Sequence, residues 1–110
     1  MKEKVNDYLS FLFYGEDSWR TSSCVINGMC HVTLDVHGLK AIDAMRMIKN
    51  TICAIPYDME LEVIHGYNGG TAIKDSIREQ LLWDSITGIE SPWYNPGVTY
   101  INVAGRLAVA

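Results

Sequence analysis

The sequence predicts an α/β fold, a two-layer sandwich in which helices cover one face of a mixed four-stranded sheet. Three observations carry that expectation. Segments in which apolar and polar residues alternate are interleaved with segments whose apolar residues recur at helical spacing, the pattern of strand–helix–strand units. The alternating segments each keep one polar face, so helices are required on one side only. The chain has 110 residues, 48% of them hydrophobic and 20% charged, which suits one domain with a modest core.

The elements follow in order. Val5, Tyr8, Leu9, Leu12 and Phe13 fall at helical spacing, so a short amphipathic helix is expected over residues 5–14, ended by Gly15. Asn27-Gly28 lies between Cys24-Val25-Ile26 and Met29-Cys30-His31-Val32. Such a pair signals a type I′ hairpin, because both central residues of that turn need positive φ. A two-residue turn pairs Ile26 with Met29, Val25 with Cys30 and Cys24 with His31. Cys24 and Cys30 then point to opposite faces and do not bond to each other.

The second arm places Cys30, Val32, Leu34 and Val36 on an apolar face, and His31, Thr33, Asp35 and His37 on a polar one, before Gly38 breaks the strand. Ala41, Ala44, Met45, Ile48, Ile52 and Ile55 mark a helix closed by Pro56. Cys53 within it reads as core packing rather than a nucleophile. Residues 59–65 alternate again, with Leu61 and Val63 opposite Glu60 and Glu62. After a glycine-rich turn, Thr71 is placed to cap a helix whose Ile73, Ile77 and Leu81 share a face, with Trp83 read as core at its end. Residues 85–90 and 98–103 read as two last strands joined by the Pro- and Gly-bearing residues 91–97.

The expected order is thus βαβαββ, preceded by a helix and a hairpin arm. Strand–helix–strand crossovers favour parallel neighbours, and the last pair can be antiparallel. The corresponding domain reading is an N-terminal extension over 1–31, a domain over 32–103 and a tail over 104–110.

Charge and cysteine content bound the function. The formal net charge is −4. Most nucleic-acid-binding domains draw affinity from a basic surface, so binding to a phosphate backbone here needs a local basic patch and is expected to be weak and salt-sensitive. Three irregularly spaced cysteines do not form a disulfide framework, and a reducing cytoplasm suits them. The apolar stretch near the N-terminus is too short for a membrane span and makes a poor signal peptide.

Two clusters could carry chemistry. Leu34-Asp35-Val36-His37-Gly38 ends a strand, and residues two apart share a strand face, roughly 6.5–7 Å between Cα atoms. Asp35 could therefore orient His37 as carboxylates orient catalytic imidazoles, although a solvated strand face gives the same pattern. The second cluster is His65-Gly66-Tyr67-Asn68-Gly69-Gly70-Thr71, a glycine-rich turn between a strand and a helix. Converging N–H groups and the helix dipole suit an anion there, with Thr71, Lys74 and Arg78 adding a hydroxyl and two cations. A plain tight turn with surface charges is the other reading. Both clusters lie at C-terminal strand ends, where open α/β sheets bind ligands. Neighbouring strands would let His37 and His65 bracket one phosphate for general acid/base cleavage.

At these residues the chain resembles the small-MutS-related (Smr) domain family. Its hallmarks are a Leu-Asp-x-His-Gly strand end, matched by residues 34–38, and a His-Gly-x-Gly turn opening a helix, matched by residues 65–70 with Asn68 in place of a glycine. Thr71-Ala72-Ile73-Lys74 is similar to the family's Ala-Leu-Arg helix start, and residues 95–99 are similar to its final hairpin. The likeness spans residues 32–103. It implies a fold like the C-terminal domain of a bacterial translation initiation factor and nicking endonuclease or endoribonuclease activity. It also implies Asp35 and His37 as a catalytic pair, and His65, Gly66 and the following turn as catalytic or phosphate-binding. Lys74 keeps the charge of the family's arginine but not its bidentate geometry.

Other constellations carry less. His31, Asp35, His37 and Cys24 share an expected face, but His31 and Asp35 stand roughly 13 Å apart at strand rise, too far for one metal ion. Tyr67, Trp93 and Tyr94 are candidates to stack on bases, or to act as packing lids. Two functions are therefore expected from the sequence. One is a phosphodiesterase on DNA or RNA, using a divalent cation if the substrate is DNA. The other is a non-catalytic module that binds nucleic acid, a ribosome or a protein.

Overall fold

The computed structural model describes residues 2–66 and 71–107, and Tyr67, Asn68, Gly69 and Gly70 of the expected anion turn lie outside the described residues. Helix α1 spans Lys2–Leu12, a 3-10 segment spans Gly15–Arg20, and strands β1 (Thr21–Ile26) and β2 (Met29–Asp35) form a hairpin. Then come α2 (Ala41–Ala54), β3 (Met59–Ile64), α3 (Ala72–Gln80), β4 (Ile86–Glu90) and β5 (Val98–Val103). The fold is mixed α/β around one five-stranded sheet of order β1-β2-β3-β5-β4.

The hairpin forms as its turn residues dictate. Asn27 and Gly28 take φ of 51° and 78°, and the register pairs Ile26 with Met29, Val25 with Cys30 and Cys24 with His31. Cys30 is buried while Cys24 is exposed, and all three cysteines are free. Strand β2 runs parallel to β3, with Leu34 opposite Val63 and Asp35 opposite Ile64. Strand β5 pairs antiparallel with both β3 and β4.

Three differences from the sequence expectation have clear causes. The sheet has five strands, not four, because the hairpin's first arm pairs along β2 from Met29 to Leu34, which lies opposite Thr21. The crossover through α3 does not bring its strands together, because β5 folds back between β3 and β4. Finally, the N-terminal segment packs into the common core. Val5, Leu9 and Phe13 are buried in the same cluster as Val32, Leu34, Ile48, Leu61, Val63, Ile77 and Ile101. A boundary after residue 31 would cut β2 itself.

Helix α2 buries Ala44, Met45, Ile48, Thr51 and Ile52, and α3 buries Ile73 and Ile77. Thr51, the polar member of that stripe, satisfies its hydroxyl by donating to the Met47 carbonyl at 2.8 Å. Cys53 is exposed rather than core, since it falls off this stripe, and Trp83 is 37% exposed beyond the end of α3. Thr71 occupies the N-cap position of α3 but makes no capping bond. Its hydroxyl donates to Asp75 Oδ2 at 2.9 Å instead. The sheet face away from the helices is largely polar, carrying His31, Thr33, Asp35, Glu60, Glu62 and Tyr100, with exposed Ile26 and Met29 at its hairpin end. No helix among the described residues is long and apolar enough to cross a membrane.

Candidate functional site

The site is built at the adjacent C-terminal ends of β2 and β3. The Val36 amide donates to the Ile64 carbonyl at 2.9 Å, extending the parallel ladder one residue beyond β2. Asp35 then turns its carboxylate back on the chain. One oxygen, Oδ1, accepts from the His37 backbone amide at 3.0 Å and contacts the His37 ring at Nδ1, 2.5 Å away. A carboxylate so close to Nδ1 fixes the proton there and leaves Nε2 as the ring's basic atom. The His37 side chain is 58% exposed, so a ligand can reach it. Gly66 lies beside it, and a Cβ built on Gly66 would stand 3.7 Å from the His37 Cβ. Gly66 also has φ of 71°, a left-handed conformation that costs glycine little.

The N-terminal segment supplies a wall that sequence reading missed. The hairpin register sets Thr21 opposite Leu34, so Arg20 comes beside Asp35. Its Nη1 donates to the Asp35 carbonyl at 3.2 Å, and its Nε donates to Asp17 Oδ1 at 3.1 Å. The guanidinium lies 4.5 Å from the Trp19 ring centroid, and Trp19 meets His37 edge-on with centroids 6.0 Å apart. The signal was present in the sequence, because counting back from Asn27-Gly28 along the hairpin sets Arg20 opposite Asp35.

Compared with known protein families, curated proteins and solved structures, the chain matches none. The likeness to the Smr family therefore rests on the two motifs, and their geometry is the test of each expected role.

His65 stands apart from His37. It is 8% exposed, and alternation after Ile64 turns it toward the helices, opposite to Asp35. There its Nε2 meets Thr99 Oγ1 at 2.9 Å and its Nδ1 meets the Gly66 carbonyl at 2.7 Å. A ring with a carbonyl at Nδ1 donates there and accepts the threonine hydroxyl at Nε2. Both nitrogens are engaged, so this imidazole is tied to Gly66 and Thr99 and does not bracket a ligand with His37. His65 and Gly66 are held from a second side as well, because their amides both donate to the Gly97 carbonyl, at 2.9 and 3.0 Å.

Of the cations expected at the turn, Arg78 is exposed and donates to Ser91 Oγ at 2.8 Å, and Lys74 is half-buried in the first turn of α3. Among the described residues no group of three or more His, Cys, Asp or Glu side chains is disposed to hold a metal ion. What the arrangement offers is one oriented, accessible imidazole beside a glycine-bearing strand end, with an aromatic edge against it.

Proposed function

We propose that the chain is a small nucleic-acid phosphodiesterase of Smr type, a nicking endonuclease or endoribonuclease, in which His37 is the single proton-transfer group. The observation that carries this reading is the Asp35–His37 contact of 2.5 Å on a histidine whose side chain is 58% exposed. Asp35 is the orienting group and His37 Nε2 the base. His65, with both nitrogens occupied, holds Gly66 in place. Gly66 and the turn residues after it are the proposed phosphate contacts, with Lys74 and Arg78 as the cations that α3 contributes. On RNA, Nε2 takes the proton of a 2′-hydroxyl, that oxygen attacks phosphorus, and the 5′-oxygen leaves and takes a proton from solvent. On DNA the nucleophile is water, and a divalent cation would supply much of the activation. The succession strand–helix–strand–helix–strand–strand from Met29 to Val103 supports a fold like that initiation-factor domain.

A second reading is favoured by one observation. Every Lys and Arg lies outside the strands, whose charged residues are Asp35, Glu60, Glu62 and Glu90. A non-catalytic module that binds a protein or ribosome through that face fits this distribution.

The discriminating assay is cleavage of supercoiled plasmid and of single-stranded RNA, each with and without EDTA. Wild type is compared with Asp35→Ala and His37→Ala. The expected loss in either variant is about 10²- to 10⁴-fold, the usual worth of positioned acid–base catalysis. Equal cleavage by all three proteins removes the catalytic assignment. Salt-sensitive binding without cleavage favours the module.

A further inference from the structure

The face of the sheet turned away from the helices carries one sign of charge. Asp35, Glu60, Glu62 and Glu90 all lie in strands, whereas none of the nine lysines and arginines does. Strand alternation sets those carboxylates on the open face, Glu62 opposite Tyr100 on β5 and Glu90 opposite the same tyrosine from the other side. Where β3, β5 and β4 meet residues 91–97, this face sinks into a hollow of ≈ 450 Å³ lined by Glu60, Glu90, Ser91, Pro92, Tyr94 and Tyr100.

The lining selects a ligand class. Two carboxylates with two phenol rings beside them suit an organic cation, because the carboxylates pair with its charge and the ring faces attract it through their quadrupole. A phosphate would meet only like charge. An apolar group would strip water from both carboxylates with nothing in return. No Lys or Arg side chain satisfies these acids within the described residues, and the ion-pair contact of Glu60 is with His31 at 3.4 Å. The crowding is felt by Tyr100, whose phenol pKa is raised by burial and then by Glu62, Tyr94 and Glu60.

The shape argues for a polypeptide over a free amine. A second hollow of ≈ 330 Å³ crosses β1 and β2, shares Glu60 with the first and has Glu62 in its own wall. The two make one acidic track across the sheet. An extended peptide projects alternate side chains on one side about 6.5–7 Å apart, so it can place successive cations along such a track.

We propose that this face binds a basic polypeptide segment, with an arginine side chain seated between Glu60 and Glu90 and stacked on Tyr94 and Tyr100. Arginine suits the seat better than lysine because its planar fork pairs with carboxylates and stacks on aromatic rings. The seat is separate from the His37 dyad and does not rest on the phosphodiesterase reading.

The test is fluorescence anisotropy with the full chain and a labelled nonapeptide alternating arginine and serine. Its lysine and glutamate counterparts, spermidine and single-stranded RNA are measured alongside. Glu90→Gln and Tyr94→Ala, both at exposed side chains, are compared with wild type and with Arg46→Ala on α2 as a control, each checked by its thermal melt. The arginine peptide is expected to bind best and to weaken with salt. Glu90→Gln and Tyr94→Ala should each weaken it about three- to tenfold, with Arg46→Ala unchanged. Absence of arginine-peptide binding, or equal affinity in all four proteins, overturns the proposal. So does spermidine or RNA binding that those two substitutions abolish while the peptide is ignored.

Discussion

At the scale of single residues, environment separates side chains of the same type. His37 and His65 each follow the end of a strand, yet one is exposed and paired with a carboxylate while the other is buried with both nitrogens bonded. The cysteines divide in the same way. Cys24 and Cys53 are exposed and Cys30 is buried, and burial, helped by the negative charge Cys24 carries when ionised, pushes the Cys30 thiol up to about 11. Since the thiolate is the reactive form, iodoacetamide at pH 8 should label Cys24 and Cys53 of the native protein and spare Cys30. Mass spectrometry of the digested protein checks this, and full labelling of Cys30 without denaturant would contradict the packing of β2. The raised pKa also has a signed consequence for stability. A buried neutral thiol contributes fully below its unfolded value near 9.0 and loses that contribution as pH rises toward about 11. Denaturant melts at pH 8 and 11 should show wild type losing on the order of 2 kcal/mol more than Cys30→Ala over that interval.

At the scale of elements, the β1–β2 hairpin has the largest effect on the site. Its turn places Asn27 and Gly28 at positive φ, which fixes the register, and that register delivers Arg20 and Trp19 to the Asp35–His37 pair. The strands were legible because alternation in β2 and β3 is clean. The role of β1 was not, because two of its three inward residues, Thr21 and Ser23, are polar and do not announce a buried face. Gly28→Val sets a β-branched residue at φ of 78° and should destabilise the protein by about 1–2 kcal/mol. A thermal melt of that variant should fall by roughly 4–16 °C, taking 4–8 °C per kcal/mol for a domain of about this size. An unchanged melting temperature would show that the turn does not hold the register.

At the scale of the whole molecule, the N-terminal segment belongs to the core. Val5, Leu9 and Phe13 are 0%, 3% and 5% exposed. Burying each such side chain contributes roughly 1.5–3 kcal/mol, which together approaches the whole stability of an ordinary domain, about 5–15 kcal/mol. A chain lacking residues 1–20 should therefore lose its cooperative melt and expose apolar surface, detectable by calorimetry and by dye binding. A truncated chain that melts cooperatively near the wild-type temperature would restore the smaller domain over 32–103.

The amino-acid sequence by itself determined the local periodicities. It placed the helices and strands, the two-residue turn with its pairing, and the nearness of Asp35 to His37, although His37 lies in the turn beyond β2 and meets the carboxylate there through its own amide as well as its ring. Only the tertiary structure decided the order of strands, the inclusion of β1 and α1, and the partner that occupies the second ring nitrogen of His65. Those depend on which faces meet across long separations in the chain. His65 turns inward because alternation sets it on the face of Leu61 and Val63, and there Thr99, 34 residues on, is the partner that satisfies its ring. Local spacing carries no record of a partner that distant.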